Sequence, residues 1–322
     1  MNIYIKQDEG QAGPFSAEEL RQKIYSGSLA RTVSACAEGS SEWVPLESLL
    51  NPPANATLPA TAATEISLKQ LFDRKEKTAL VWLWIFAVPM LLMLVFLVVM
   101  GMGIPLIVFG AFWLIGAIGE LWFAAYLKTN AVRVSETQLP ELNRAVAACC
   151  QRLNMTRPDV YVLQHNVWNA FAAKIFGRRV VVLFSGAVDS ILLKGDMTQL
   201  TWLVGHELGH HWAGHLDFSQ KLAKTGSWVF WLGLWHSRRA ELTCDRVALY
   251  CTGNLQASQL ALINATVGAQ LASRVNVEEA VKQWWGHRDE FFVKYRTLYS
   301  THPHLLARLD YLNKAAAEFG MA

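Results

Sequence analysis

The feature that most constrains this chain of 322 residues is a run of 42 residues, Thr78 to Gly119, in which no side chain is charged. One bilayer crossing needs about 20 apolar residues, so the run is long enough for two. Gly101 and Pro105 lie near its middle, where they disfavour a continuous helix. We therefore predict two transmembrane helices, about 79–100 and 104–127, joined by a tight turn. The alternative, two buried helices of a soluble core, agrees less well with the lack of polar positions.

Positively charged residues flank this run and are missing from the predicted turn. They are Arg74, Lys75 and Lys77 before the first helix and Lys128 and Arg133 after the second. Because Lys and Arg favour the cytoplasmic side of a membrane, both ends of the hairpin are predicted to be cytoplasmic. Glu120 falls inside the second helix, within about two turns of its cytoplasmic end. It is either a functional carboxylate within the membrane or an interfacial residue near Lys128, and we favour the second interpretation.

Charge and cysteine content narrow the class of protein. Lys and Arg number 29 against 26 Asp and Glu, and this net charge of +3 is too small to indicate nucleic-acid binding. The five cysteines form no CxxC pair and are odd in number, which favours a reducing compartment over a disulfide framework. The N-terminus lacks the basic and apolar pattern of a secretory signal. We expect the first folded segment to stay in the cytoplasm.

Residues 1–50 have the pattern of a small α+β domain. A strand at residues 3–5 and a turn at 10–13 precede a helix that we expect to end at Gly27. Ser16 and Glu19 form the sequence of a capping box, in which each side chain bonds to the backbone N–H of the other residue. Residues 51–66 are rich in Pro, Ala, Thr and Asn, so they are predicted to be a flexible linker.

Four short motifs in the first 50 residues resemble the GYF-like domain found at the N-terminus of many bacterial membrane proteins. They are Ile3-Tyr4-Ile5, Gly13-Pro14-Phe15, Glu18-Glu19-Leu20, and Trp43 with Pro45-Leu46. Pro14 departs from the pattern, since the family has Tyr at this position. The resemblance implies that Tyr4, Phe15 and Trp43 line a groove for a proline-rich peptide. Alternatively, the three aromatic side chains form the core of a domain that has few other residues to bury.

Residues 131–322 have the pattern of a mainly helical α+β domain. Helices are predicted at 139–153 and 200–216, and strands at 160–163 and 180–184. The second helix contains His206-Glu207-Leu208-Gly209-His210. His206 and His210 are four residues apart, so both imidazoles project from one face and can bind one Zn²⁺. Glu207 is close enough to act as the general base on a zinc-bound water.

This short motif needs a third protein ligand, because catalytic zinc has three ligands and one open position. A metzincin would have Gly at 213 and His at 216, but the chain has Ala213 and Leu216. A gluzincin takes a Glu from a second helix, with an Asp one turn later, and Glu241 and Asp245 have this spacing. Glu241 is then the third ligand, and Asp245 accepts a hydrogen bond from a ligand histidine. The alternative is a solvated acidic face beside two arginines at 238 and 239.

At this point the chain resembles the HtpX-type membrane zinc peptidases, whose relatives include the CAAX prenyl endopeptidases. The motifs are His206 to His210 with Gly214-His215, then Ser237-Arg238 with Glu241 and Asp245, Asn169-Ala170-Phe171-Ala172, and His302-Pro303 with Arg308. The resemblance implies a multi-domain protein whose zincin-type peptidase domain binds one zinc ion per chain.

The same resemblance implies roles for individual residues. His206, His210 and Glu241 bind zinc. Glu207 is the general base, and His302 stabilises the oxyanion. The residues that orient these groups without contacting the metal are His215, Asp245 and Arg308. Asn169 contacts the substrate backbone, and the strand containing Val181 pairs with an extended peptide. Three alternatives stay open. His302 could be a buried or capping residue, Arg308 could pair with Asp310, and strand 180–184 could be an ordinary paired strand.

The chain departs from the family between the two metal-binding motifs. Many members have further transmembrane helices there, whereas this chain has one apolar segment, residues 228–235, that is too short to span. The segment contains three tryptophans, and Trp favours the membrane interface. It either dips into the cytoplasmic leaflet beside the active site or forms a hydrophobic core turn.

These observations predict an integral, multi-pass membrane zinc metalloendopeptidase with a cytoplasmic active site. Its substrates are proteins or peptides, and its role is in membrane-protein quality control. The main alternative is a membrane-tethered scaffold with an inactive protease fold. Degenerate members usually lose the base or a ligand, whereas Glu207 and all three ligands are present here, which favours the active enzyme. A third possibility is a zinc hydrolase that acts on a non-peptide amide, because such an enzyme has the same ligands. The substrate cannot be named from the sequence.

Overall fold

The computed structural model describes residues 2–7, 10–25, 28–30, 32–50, 66–101, 103–194 and 196–321. The chain divides into two compact units. The first comprises Met1–Ala62 with Val188–Met197, and the second comprises Ala63–Ala187 with Thr198–Ala322. The predicted linker, residues 51–66, lies outside the described residues except for its last position.

The N-terminal unit is built on a four-stranded antiparallel sheet of order β2-β1-β3-β4. Its elements are β1 (Asn2–Gln7), β2 (Gly10–Ser16), α1 (Ala17–Tyr25), β3 (Ser34–Ala37), β4 (Val44–Pro45) and α2 (Leu46–Leu50). The capping box predicted for α1 is present. Ser16 donates its backbone N–H to the Glu19 carboxylate at 2.7 Å, and Glu19 donates its own to the Ser16 hydroxyl at 3.2 Å. The predicted helix end at Gly27 lies outside the described residues.

The buried core of this unit is aliphatic. Its fully buried members include Ile3, Ile5 and Leu20, and Phe15 only packs against them from a partly buried position. Tyr4 is partly buried and Trp43 is exposed. The alternative in which the three aromatic side chains form the core therefore does not hold for Trp43, whereas Tyr4 and Phe15 lie at the edge of the core.

Two long apolar helices begin the second unit. They are α3 (Glu76–Val99) and α4 (Ile104–Asn130), close to the spans predicted at 79–100 and 104–127. Both are long and apolar enough to cross a membrane, and their large apolar side chains are mostly exposed. Two core helices of a soluble protein would bury these side chains, so that alternative is wrong. The fold class predicted from the sequence is confirmed.

The last turns of α4 pack on a mixed sheet. The sheet has the order β5-β6-β8-β7, with β5 (Ala131–Arg133), β6 (Asp159–Leu163), β7 (Ala170–Ile175) and β8 (Arg178–Phe184). Leu127 is buried with Val180 and Val182 of β8. The Glu120 carboxylate accepts a hydrogen bond from the backbone N–H of Phe176, in the turn between β7 and β8, at 2.9 Å. Glu120 therefore has a structural partner in the sheet, and this partner is not Lys128, near which the interfacial interpretation placed it.

The strand order corrects one sequence-based assignment. Strand 180–184 is part of β8, which pairs with β6 on one side and β7 on the other. Val181 lies opposite Val160 and Ala172 and is buried. Its backbone is therefore not open to an extended peptide, and the sheet edge on this side belongs to β7.

The remaining helices belong to the second unit, apart from one short stretch. They are α5 (Pro140–Arg152), α6 (Ser185–Lys194), α7 (Met197–Trp212), α8 (Phe218–Ala223), α9 (Phe230–Thr252), α10 (Leu255–Val267), α11 (Ala269–Ala272), α12 (Val277–His287), α13 (Phe291–Leu298) and α14 (Leu305–Phe319). The exception is that α6 from Val188 onward and the first residue of α7 group with the first unit. α9 packs against α3, α10 and α14. It therefore links the apolar hairpin to the C-terminal helices.

The tryptophan-rich segment 228–235 is not a hydrophobic core turn, because Trp228, Phe230 and Trp231 are exposed. It is the end of a 3-10 turn, Lys224–Trp228, and the first turns of α9. This turn lies directly against α3. A Cβ atom added at Gly226 would lie 2.2 Å from the Leu83 carbonyl oxygen and 3.0 Å from the Ala87 nitrogen. Only glycine allows this approach of the two backbones.

Replacing Gly226 tests the contact between the turn and α3. We expect Gly226→Ala to lower stability by about 1–3 kcal/mol, because the obstructing atoms belong to the α3 backbone and cannot rotate away. Gly286→Ala is the matched control, since Gly286 lies in α12 with open space around it. The measurement is thermal unfolding of the full chain in one detergent. Equal melting temperatures for the two variants would contradict this packing.

Candidate metal centre

The two helices α7 and α9 bring the predicted metal ligands together. His206 Nε2 lies 3.4 Å from one Glu241 carboxylate oxygen, and His210 Nε2 lies 3.6 Å from the other. One ligand atom from each of the three residues lies within 4.8 Å of the others. The helices can approach this closely because Gly209 faces α9, where an added Cβ would lie 3.1 Å from the Cys244 Cα.

Asp245 connects His206 to the C-terminal helix. Its carboxylate accepts a hydrogen bond from His206 Nδ1 at 3.1 Å and two from the Arg308 guanidinium at 2.8 and 2.6 Å. Burial would raise the pKa of Asp245, but Arg308 and His206 hold it below its ordinary value. Arg308 therefore pairs with Asp245, whereas Asp310 pairs with Lys314. The alternative partner considered for Arg308 is wrong.

A second chain of contacts supports His210 and ends at a residue that sequence reasoning missed. His210 Nδ1 lies 3.1 Å from His215 Nδ1, and His215 Nε2 lies 2.9 Å from the Glu76 carboxylate. The other Glu76 oxygen accepts a hydrogen bond from Thr243 of α9. An ionised carboxylate only accepts, so His215 donates from Nε2 and accepts at Nδ1. His210 then donates from Nδ1, which leaves its Nε2 lone pair directed at the other ligands.

Glu76 carries no local signal of this role. It is the first residue of α3 and lies 139 positions from His215 and 167 from Thr243. Its one distinguishing feature in the sequence is its place among the charged residues just before the uncharged run. An acidic residue at the start of a helix is also common without any functional role, because it interacts favourably with the helix dipole.

The donor set fits a divalent metal such as zinc. Burial lowers the pKa of His210 to about 3, so its imidazole is neutral. Burial would also lower the pKa of His206, but its bonds to Asp245 and Glu241 raise it to about 10, so metal binding there releases a proton. Glu241 is ionised, because His206, His210 and Arg308 outweigh the effect of burial on its pKa. Two imidazoles and one carboxylate are a common catalytic zinc set.

A second possible set, His210, His215 and Cys244, fits less well. Burial raises the pKa of the Cys244 thiol well above its ordinary value. The thiolate, rather than the thiol, is the metal ligand. In addition, His215 already donates to Glu76. The set with Glu241 is therefore the better candidate.

Glu207 lies in a groove of about 240 Å³ next to these residues. The groove is lined on one side by Ala170, Phe171 and Ala172 of β7 and on the other by residues of α7 and α9. Burial raises the pKa of Glu207 to about 7. The Ala172 backbone N–H partly offsets this rise in pKa, and Ala172 and Glu207 line the same groove, so the edge strand lies beside the predicted base.

Of the remaining predicted residues, His302 lines the groove and Asn169 lies outside it. His302 lines the groove, and its Nε2 lies 3.6 Å from a Glu241 oxygen while the side chain stays 63% exposed. The buried structural role considered for His302 is therefore wrong. The exposed Asn169 side chain accepts a hydrogen bond from the adjacent Ala170 N–H at 2.9 Å. Among the described residues, the groove lining starts at Ala170.

Two family models match separate parts of the chain. GYF domain 2 matches residues 4–49, and Peptidase family M48 matches residues 136–229. The second match contains His206, Glu207, His210 and His215 but ends before Glu241. The convergence of Glu241, Asp245, His302 and Arg308 on this site therefore rests on the geometry.

Curated proteins with related sequences agree with these matches. The plastoglobule-localized metallopeptidase 48 of Arabidopsis thaliana is 27% identical over 174 residues, which cover 48% of this chain and 48% of the relative. A protease HtpX homolog of Thermodesulfovibrio yellowstonii is 31% identical over 106 residues, which cover 31% of this chain and 36% of the relative. The chain thus spans half or less of each relative's length. No solved structure matches it significantly.

The two resemblances recognised in the sequence are confirmed by these comparisons. Residues 4–49 are similar to GYF domain 2, and the part of the second unit that holds the HExxH helix is similar to Peptidase family M48.

Proposed function

We propose that this chain is a membrane-anchored zinc metalloendopeptidase. The observation that carries the proposal is the convergence of His206, His210 and Glu241 within 4.8 Å, beside a groove that also contains Glu207. His206, His210 and Glu241 hold the zinc, one ion per chain. When bound, zinc supplies a Lewis acid that polarises the scissile carbonyl and makes water a stronger nucleophile.

Glu207 is the general base in the proposed reaction. Its carboxylate accepts a proton from the attacking water and passes it to the leaving amine. The pKa of about 7 suits both transfers near neutral pH. His302 lies at the groove mouth, where its imidazole can donate to the oxyanion of the tetrahedral intermediate.

The free edge of β7 is the proposed binding site for an extended substrate. It pairs with β8 on one side, while Ala170 to Ala172 line the groove on the other. A peptide that adds to this edge by main-chain hydrogen bonds runs past Glu207. Asn169, directly before β7, is placed to contact the end of such a peptide. Val181 supports the edge from the inner strand and does not bind the substrate itself.

The site lies beside the start of a membrane helix, which supports a role at the membrane. Glu76 is the first residue of α3 and contacts His215. The flanking Lys and Arg residues favour a multi-pass hairpin with both ends in the cytoplasm. We therefore propose a cytoplasmic active site, membrane-protein quality control as the task, and proline-rich peptides as ligands of the accessible aromatic side chains of the GYF-like domain.

An inactive scaffold with the same fold is the alternative function. It is disfavoured because the proposed base, ligands and supporting residues are all present and in contact. A non-peptide amide as substrate is disfavoured by the open sheet edge, which suits a peptide backbone.

Replacing Glu207 by Gln separates metal binding from catalysis. The change keeps the side-chain size but removes the proton acceptor, so we expect the purified protein to retain zinc and lose proteolysis of an unfolded protein by at least about 100-fold. Zinc is measured by elemental analysis and cleavage by gel. The proposal would be contradicted if this variant kept its activity, or if the wild-type protein contained no zinc at neutral pH.

Replacing Glu76 by Gln tests the support of His210 through His215. We expect zinc affinity to fall about 10–100-fold, because loss of the carboxylate frees His215 and with it the His210 tautomer. The matched control is Glu120→Gln, which changes the other carboxylate of the hairpin and leaves the metal centre untouched. The measurement is competition with a chromogenic zinc chelator. Equal affinities in the two variants would show that Glu76 has no role at the metal.

A further inference from the structure

Aromatic side chains form an exposed surface that neither the metal centre nor the groove explains. We call Trp228, Phe230, Trp231, Phe291, Phe292 and Tyr295 the aromatic surface. All six are exposed, and Phe291 and Phe292 are 73% and 78% exposed. Large apolar groups clustered in this way on the outside of a protein indicate an interaction site.

Ring contacts connect this surface to the membrane hairpin. Trp228 packs edge-on against Phe86 of α3 at 5.6 Å, and its indole N–H lies 3.4 Å from the Phe86 carbonyl oxygen. Phe230 contacts Tyr299 at 5.9 Å, and Tyr299 contacts Tyr295 at 4.7 Å. Phe291 lies 6.3 Å from Tyr295 and 5.3 Å from Phe292. The surface therefore extends from the side of α3 to α13.

The pairing of α9 with α3 sets the level of this surface along the hairpin. Thr243 of α9 bonds to Glu76 at the start of α3, whereas Trp228, just before α9, bonds at Phe86. The two helices are therefore antiparallel. Phe86 is ten residues beyond Glu76, about 15 Å along the helix axis. The start of α9 thus lies beside the uncharged part of α3, at the level of the lipid.

The helix α13 is amphipathic with its apolar face outward. Phe291, Phe292 and Tyr295 are exposed, and so are Arg296 and Lys294 on the same helix, although Lys294 pairs with Asp289 at 3.0 Å. A helix of this kind, with aromatic residues on one side and basic residues near them, suits the boundary between acyl chains and anionic headgroups. Tyr and Trp are also the residues that favour this boundary.

We propose that the aromatic surface is seated in the cytoplasmic leaflet of the membrane that α3 crosses. The occupant is lipid, because the surface begins at Trp228, which packs on Phe86 within the uncharged part of α3. This inference rests on the proposed membrane insertion of the hairpin but not on peptidase activity.

The seating brings the metal centre close to the bilayer. Glu241 is 11 residues beyond Phe230 on α9, about 16 Å along the axis. After α13 the chain runs directly to His302 at the groove, and Arg238 of α9 donates to the carbonyl oxygens of Leu298 and Ser300 at 3.3 and 2.6 Å. A peptide segment that leaves the membrane therefore reaches the groove within a few residues.

The test measures the depth of a dye on the full chain in vesicles of phosphatidylcholine and phosphatidylglycerol. An environment-sensitive dye is attached to Phe292→Cys, or to Tyr295→Cys as a second position on the same face. Selective labelling is feasible because the five native cysteines are buried. Glu278→Cys on the exposed polar side of α12 is the matched control, and Ile115→Cys in α4 marks the membrane. The quencher is a lipid brominated near the headgroup end of its acyl chains, with a lipid brominated near the chain ends for residue 115, which lies midway along α4.

We expect the bromolipid to reduce emission at least about twofold at residues 292 and 295 and at 115, with no change at 278, since such surfaces insert about 5–10 Å. Quenching at 115 but not at 292 or 295 would overturn the inference and leave the hairpin intact. No quenching at 115 would overturn both. If the dye at residue 292 is shielded only when unfolded protein is added, the surface binds substrate instead of lipid. If shielding rises with protein concentration in detergent, the surface binds a second copy of the chain. Loss of peptidase activity alone would leave the depth result unchanged.

Discussion

The placement of α9 between α7 and α3 is the constraint on which the rest of the second unit depends. One face of α9 presents Glu241 to the histidines of α7, and a neighbouring position presents Thr243 to Glu76 of α3. Both contacts need close packing of the backbones. Gly209 of α7 allows the approach to α9, and Gly226, just before α9, allows the approach to α3. If α9 moved relative to either helix, the ligand set and the attachment to the hairpin would be lost together.

Features whose geometry follows from a short spacing between residues were predictable from the sequence. The uncharged run has the length of two spans, and α3 and α4 occupy it. The capping box of Ser16 and Glu19 depends on a spacing of three residues, and His206 and His210 share a face because they are one turn apart. Glu241 and Asp245 could be found for the same reason, since both lie on one helix one turn apart. In each case the sequence separation itself determines the geometry.

Features that depend on distant pairing were missed or misassigned. The apolar run 180–184 indicates a strand, but only the strand order shows that β8 is internal and that β7 forms the edge. Arg308 has an acidic neighbour in Asp310, yet packing of α14 against α9 directs it to Asp245. Glu76 is separated from both partners by more than a hundred residues. No periodic pattern encodes such contacts.

The buried carboxylates around the candidate metal centre are held by countercharges, one of which a bound metal can replace. Asp245 is balanced by Arg308, and Glu76 is held by His215 and Thr243. Glu241 is nearly as buried but has imidazoles around it, and the nearby Glu207 has its pKa raised by burial. A buried carboxylate without a full countercharge is costly, and this cost falls when a dication is bound. Without metal, the proton on His206, whose pKa is about 10, balances Glu241, and a bound dication replaces this charge when the proton leaves. The supporting contacts from Asp245 and His215 keep the two histidines in the tautomers that accept the metal.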